Sequence, residues 1–306
     1  METRRKKFKT VLGEISGEEV GITLPHEHIC CYSEYMYKMA GNKYLDKEKL
    51  VETSVKYLLE LKERYGLKTF VDCTPVNIGR DVDLLKVVSE KSGVNIICST
   101  GFYYTEELIL YNTPMETVAD YMIRDAVAVN AGVIKCAVEY AEISPFVKKL
   151  LCAVAKTQLT LNLPVVLHTN ANNKNGLAAL EILRAEGVKP EAITVGHLSD
   201  TQDLDYVKQI ADYGCFIGLD RMYGHTREEY VSEKVESIRE LCKAGYENQI
   251  LVAHDALFFN GFEGNPVIYE KPRMAYSFDH ILSRLDPQTA ENIMIHNPVR
   301  MLGCGE

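Results

Sequence analysis

The chain has 306 residues, 46% of them hydrophobic and 25% charged, enough to bury a large core in one or two domains. A formal net charge of −9 argues against the basic footprint of a nucleic-acid binder. No run approaches the ~18 uninterrupted apolar residues of a membrane span. Nine cysteines, with no Cys-x-x-Cys pair, sit largely inside apolar runs (Cys73, Cys98, Cys136, Cys215) and read as free, reduced thiols of a cytoplasmic protein. The basic start Arg4-Arg5-Lys6-Lys7 is followed by no apolar stretch, so it is not read as a signal peptide.

Residues 8–20 hold two short strand-like pieces around Ser16-Gly17, expected to form a hairpin that closes the bottom of the fold. Short apolar runs then recur at 20–24, 69–73, 95–98, 133–138, 165–168, 193–197, 215–219 and 250–253. Between them lie stretches with amphipathic helical spacing at 50–64, 82–91, 115–129, 146–159, 176–185, 204–212 and 228–244. Turns carrying glycine, such as Tyr65-Gly66 and Tyr213-Gly214, often precede the strands. Eight strands alternating with helices predict a single α/β domain over residues 1–306, a closed parallel (β/α)₈ TIM barrel rather than an open doubly wound sheet. No Gly-x-Gly-x-x-Gly follows any strand, which speaks against dinucleotide binding. A long loop at 260–271 and two closing helices, about 273–284 and 287–294, complete the expected chain.

The stretch Gly21-Ile22-Thr23-Leu24-Pro25-His26-Glu27-His28-Ile29 climbs to two histidines spaced i, i+2. Alternation along a strand sends His26 and His28 to one side and Glu27 to the other. Two imidazoles on one face suit a first-row metal such as zinc. Chemistry in such a barrel sits at the carboxyl ends of the strands. Those ends carry His26 and His28, Lys135, His168, His197, Asp220-Arg221 and Asp255. Singly, each histidine could be a surface or core residue; His168 and His197 at equivalent ends of consecutive strands make independent core roles a poor account. Only one of the neighbours His254 and Asp255 can face the axis. The carboxylate is the better ligand because divalent cations need anionic compensation, leaving His254 outward or behind it. His225, His280 and His296 fall on predicted loops or helices and read as ordinary.

Lys135 lies inside an apolar run, where a buried ammonium is costly unless paired. One account is a salt bridge to Glu139 or a nearby carboxylate. The other is a desolvated amine that captures CO₂, the resulting carbamate offering one oxygen to each of two metals.

Together these stretches resemble the phosphotriesterase-related family of the amidohydrolase superfamily, its lactonases included, over essentially the full length. The similarity is carried by Thr10-Val11-Leu12-Gly13-Glu14-Ile15, the run from Gly21 to His28, Ala131-Gly132-Val133-Ile134-Lys135, Gly196-His197, Gly218-Leu219-Asp220-Arg221 and His296-Asn297-Pro298. The resemblance implies that His26, His28 and Asp255 hold one divalent metal and His168 and His197 a second. It implies carboxylated Lys135 and a hydroxide as the bridges, with zinc the expected metal and manganese or cobalt the alternatives. Asp200, at the family's spacing after His197, would relay the proton taken by Asp255. Tyr103 and Arg221 match positions in the lactone-hydrolysing branch, where a phenol orients the hydroxide and a guanidinium holds the substrate.

The expected activity is therefore metal-dependent hydrolysis of an ester-type bond, in a lactone (a sugar or sugar-phosphate lactone among them) ahead of a phosphotriester. An idle ligand-binding barrel would want a broken ligand position. A glycosidase would want two opposed carboxylates, for which Glu139 and Asp220 are the candidate pair. Phe258, Phe259, Met222 and Tyr223 could wall an apolar arm, whereas Arg227, Lys271 and Arg273 would suit a phosphate or carboxylate. The expected partner is a small-molecule ester or lactone, with no nucleic acid and no membrane; a homodimer is left open.

Overall fold

A computed structural model describes residues 6–224 and 226–303. His225, Arg4 and Arg5 lie outside the described residues. The chain opens with an antiparallel hairpin of β1 (Lys7–Thr10) and β2 (Gly13–Ser16). Its turn falls at Val11-Leu12, not at Ser16-Gly17 as the sequence suggested. Thr10 Oγ1 accepts the Leu12 N–H and donates to the Gly13 carbonyl, while Gly13 supplies a φ of 127°. Ser16 instead opens the short helix α1 (Gly17–Val20), where its N–H and hydroxyl both donate to Glu19. The hairpin lies against the entry ends of later strands: the Val11 N–H donates to Ile96 O, and Asn130 Nδ2 to Thr10 O.

Nine strands follow: β3 (Ile22–Cys31), β4 (Leu67–Asp72), β5 (Asn95–Gly101), β6 (Val133–Ala137), β7 (Val165–His168), β8 (Ile193–Val195), β9 (Phe216–Leu219), β10 (Ile250–Val252) and β11 (Leu257–Asn260). All pair in parallel in one sheet ordered β10-β9-β8-β7-β6-β5-β4-β3-β11. Residues 257–260, outside the eight apolar runs read as strands, form a strand because β11 pairs with β3, Leu257 opposite His28 and Phe259 opposite Cys30. The last stretch of sheet is thus split. Its first half pairs with β9 and its second with β3, and between them Asp255 adopts φ 49°.

Helices cover the seven stretches of amphipathic spacing, and short helices at 34–40 and 108–112 stand outside them. Beyond α1 come α2 (Glu34–Ala40), α3 (Lys47–Tyr65), α4 (Val82–Ser92), α5 (Leu108–Asn112), α6 (Met115–Val129), α7 (Pro145–Leu161), α8 (Gly176–Ala185), α9 (Leu204–Asp212) and α10 (Glu228–Lys243). Helix α3 shows why. Asp46 caps it by accepting the Lys49 N–H, Gly66 ends it at φ 72°, and Leu50, Tyr57, Leu58 and Leu61 form its buried face. The expected helix at 273–284 is a succession of 3₁₀ and π turns, and helical turns run from Pro287 to Gly303.

The sheet curls around an inner layer of Val71, Ile97, Val133, Val166, Phe216 and Leu251, drawn from β4 to β10 and closed beneath by Phe8, Val20 and Leu302. Alternation then fixes what stands above it. Two residues beyond Val133 is Lys135, two beyond Val166 is His168, and four beyond Phe216 is Asp220. The outer faces bury against the helices. All eight described cysteines are free, Cys73, Cys98, Cys136 and Cys215 buried among them. No helix among the described residues is long and apolar enough to cross a membrane.

Candidate metal centre

At the carboxyl ends of the strands the polar residues converge. His28 Nε2 lies 3.0 Å from Asp255 Oδ1, and His26 Nε2 is 3.7 Å from the same oxygen. Lys135 Nζ stands 2.6 Å from His26 Nε2. On the far side His197 Nε2 faces His168 Nδ1 at 2.7 Å. His26, His28, Lys135, His168 and His197 are all buried, and the side chain of Asp255 is 16% exposed.

Each imidazole is held from behind, and this decides which nitrogen faces inward. One carboxylate, Asp220, serves two rings: its Oδ2 bonds His26 Nδ1, and its Oδ1 accepts from His197 Nδ1 at 2.8 Å and the His197 N–H at 2.6 Å. Glycine makes the room. A Cβ on Gly196 would sit 2.8 Å from Asp220 Oδ2, and one on Gly218 would be 3.1 Å from it. His28 Nδ1 meets Thr74 Oγ1 at 2.8 Å, and His168 Nε2 meets Glu139 Oε2 at 2.9 Å. Glu139 therefore binds His168 and Asn170 rather than Lys135, against one sequence expectation.

The charges follow from this packing. Burial pushes His26 down to about 4, reinforced by Lys135 and opposed by Asp220. Burial likewise pushes His197 down to about 3. For His28 burial is outweighed by the Cys31 sulfur and the Asp255 carboxylate, which lift it to about 10. Burial would raise Asp220 and Asp255, but the surrounding imidazoles hold both well below the usual carboxylate range.

The donor set fits a metal. His26, His28 and Asp255 each direct one ligand atom so that the three lie within 4.8 Å of one another. Zinc with bonds of about 2.0–2.2 Å to such donors spaces them about 3–3.6 Å apart. In the second pair, the facing nitrogens of His168 and His197 are those not committed to a carboxylate. His26, His197 and Asp220 form another tight group, but both Asp220 oxygens already take imidazole N–H bonds.

At the mouth, Arg221 Nε donates to Asp255 Oδ2 at 3.0 Å and its Nη1 to Asp200 Oδ2 at 2.7 Å. Asp200 thus reaches Asp255 through a guanidinium. The half-buried Tyr103 sets its ring edge-on to His168, centroids 5.2 Å apart, and burial raises its phenol. Beside the cluster opens a cavity of about 230 Å³, lined by Cys31, Ile78, Tyr103, Leu257, Asn260 and Phe262 together with the inward-facing residues. Phe258 and Phe259 do not wall it, because they pack on Tyr57 and Tyr44 inside the core; Met222 is buried too. Lys271 pairs with Glu60 on α3, whereas Arg273 stands over the Tyr223 ring at 5.5 Å. His280 lies against Tyr276 and His296 beside Glu291.

Comparison with known proteins then decides the family. The model of the "Phosphotriesterase family" matches residues 6–302. The chain belongs to the phosphotriesterase family. Within it, an "Aryldialkylphosphatase" of Saccharolobus solfataricus is 35% identical over 251 residues, 79% of this chain and 78% of that protein. A "Phosphotriesterase homology protein" of Mycobacterium tuberculosis is 27% identical, covering 90% of this chain and 88% of its own. An "N-acetyltaurine hydrolase" of Homo sapiens is 26% identical across 99% of each chain. These similarities to named hydrolases support a hydrolase of the phosphotriesterase family.

The histidines and Lys135 stand where the strand pattern put them. Of the partners behind them, Thr74 and Glu139 carry no mark in the sequence as partners of the histidines. For Asp220 a signal existed: it shares the inward register of Phe216 and Gly218. Thr74 and Glu139 lie beyond strand ends, where alternation gives no guidance.

Proposed function

We propose that this chain is a binuclear metal-dependent hydrolase of ester-type bonds, acting on a lactone at the mouth of a single-domain (β/α)₈ barrel. The observation that carries it is the inward convergence of His26, His28, His168, His197 and Asp255 around Lys135. The barrel reading is supported by the split last strand, which pairs with β9 on one side and β3 on the other. His26, His28 and Asp255 would hold one ion and His168 with His197 the other, zinc first among candidates. Lys135 lines the same cavity as His28, His168 and Asp255, where a carbamate on Nζ would add negative charge. Bound there, the ions would supply Lewis-acid polarisation and an activated water at neutral pH.

The chain's own residues supply the rest. Asp255 takes the proton of the attacking water on Oδ2, the oxygen it turns toward Arg221. Arg221 holds that carboxylate and offers N–H donors to the ester oxygens. Tyr103, edge-on to His168 at the cavity wall, orients the attacking water. Lactones suit this arrangement because an alkoxide leaving group needs a nearby cation or proton, whereas an aryl phosphotriester leaves readily. Phosphotriester hydrolysis is the second reading, supported by the name of the Saccharolobus relative. The N-acetyltaurine hydrolases add an amide to the substrates worth assaying.

The test is a panel of acyl, sugar and sugar-phosphate lactones beside an aryl phosphotriester and an N-acyl amide, on one metal-loaded preparation. Lactone kcat/KM should exceed the phosphotriester value at least about tenfold, some 1.4 kcal/mol of transition-state stabilisation. A panel in which every lactone is inert sinks the substrate reading.

A further inference from the structure

Behind Asp255 sits a polar group that the proposed chemistry does not use. Glu27 faces away from His26 and His28, and both Glu27 and His254 are fully buried. Glu27 Oε1 accepts the His254 N–H at 2.9 Å and its Nδ1 at 2.7 Å, while Oε2 accepts the Ala256 N–H at 2.9 Å. The Ser277 N–H donates to His254 Nε2 at 3.2 Å, so the ring proton resides on Nδ1. One carboxylate therefore takes the amides on both sides of Asp255. Asp255 itself needs that hold, because its φ of 49° lies in the left-handed region. Such a backbone is unfavourable for a residue with a side chain and persists only when its surroundings over-determine it.

We infer that Glu27 and His254 are a positioning pair that fixes the left-handed turn at Asp255 and so aims its carboxylate at His26 and His28. Relaxation of residue 255 to an ordinary φ would swing its Cβ away from the 3.0 Å contact with His28. Both members are required. Glu27 supplies the acceptors, and the His254 Nδ1–H, donated to Oε1, keeps the carboxylate from turning. The inference rests on the reading of Asp255 as a metal ligand. It adds a dependence that reading lacks: one half of the centre should be sensitive to a residue pair that touches no ligand of the other half.

The experiment uses the full chain with Glu27→Gln, His254→Leu and His254→Asn, titrated with cobalt and followed by its visible absorption. Amide exchange of the same proteins is measured without metal. Gln offers one acceptor oxygen where Glu offers two, and Leu offers no donor. Asn places a donor nitrogen close to where histidine has Nδ1, so it should rescue. We expect one of about two cobalt equivalents to weaken at least about tenfold in Glu27→Gln and His254→Leu, with near wild-type binding in His254→Asn. In those first two variants amide exchange should quicken at residues 254–256 and stay unchanged at 168 and 197. Unaltered cobalt binding in folded Glu27→Gln and His254→Leu overturns the pair. So does unaltered exchange at 254–256, a readout that stands even if the wild type binds no metal, a result that would itself overturn the proposed function. If Glu27→Gln fails to fold, His254→Leu against His254→Asn decides: equal cobalt affinity in the two overturns the inference.

Discussion

Lys135 Nζ lies 2.6 Å from His26 Nε2, on a ring whose other nitrogen is fixed by Asp220. A lysine amine this close to a nitrogen proposed as a ligand belongs to the centre itself. Its loss should therefore be felt by both halves. Lys135→Ala is expected to lose metal and activity together, and formate or bicarbonate added to the variant should restore part of each by filling the vacated bridge. Elemental analysis with and without the acid is the measurement. Undiminished metal content in Lys135→Met would remove any bridging role.

Asp220 holds a ring from each half, His26 and His197, between two glycines that leave it space. Asp220→Asn keeps the volume but presents an N–H₂ to a ring nitrogen that itself donates. Metal affinity should fall about 10–100-fold at both positions, as it does when a partner behind a ligand is altered. Loss confined to one of the two would show that the shared carboxylate does not link the halves.

Arg221 is bonded to both Asp255 and Asp200 at the mouth. Arg221→Ala should lower lactone kcat/KM more than the phosphotriester value, by about tenfold in the ratio. Parallel loss on both substrates would mean that Arg221 serves Asp255 alone and takes no part in choosing the substrate.

The buried histidines make the metal-free protein acid-sensitive. His26 and His197 are held at about 4 and about 3, below the ordinary 6.5. In the unfolded chain each takes a proton near 6.5, so their contribution is complete above that pH and is lost as pH falls through the folded values. His28, raised to about 10, works the other way: its contribution is present below 6.5 and is lost as pH rises through 10. After chelation, Tm should fall from about pH 6.5 to pH 4, and it should also fall as pH rises from about 6.5 to 10, leaving a maximum near pH 6.5. A flat Tm between pH 7 and 4 would contradict the burial of these rings.

Backbone contact at Lys135 gives a further expectation. A Cβ on Gly101 would meet the Lys135 carbonyl oxygen at 1.9 Å, and the residue holds φ 111°. Gly101→Ala must shift β5 against β6, at a cost above about 2 kcal/mol in thermal or urea unfolding. A wild-type Tm would show that the strands adjust freely.

Much of this was legible from side-chain period. Runs 165–168 and 115–129 coincide with β7 and α6, because one is bounded by Pro164 and the other by Pro114 and a left-handed Asn130. His168 and Lys135 could be placed because a strand has a fixed alternation above an apolar layer. Strand β11 is absent from the eight apolar runs because its strand character comes from pairing with β3, distant in the chain, and not from local pattern. The hairpin turn was misplaced for the opposite reason: Ser16-Gly17 carries a turn signature, but Glu19 makes it a helix start. Nothing local announces that Phe258 and Phe259 are core while Leu257 and Phe262 meet the cavity.

The pairing of β11 with β3 has a consequence for how the molecule is made. His28 and Asp255 touch across 227 positions of sequence, so a growing chain carries its first histidines long before their carboxylate exists. Until the last fifth has emerged from the ribosome, the edge of β3 is open and the imidazoles of His26 and His28 are exposed to any cation present. Native topology so dominated by distant contacts folds slowly. A chain whose centre is completed only by its last strand therefore relies on its C-terminal part to close the sheet at β3.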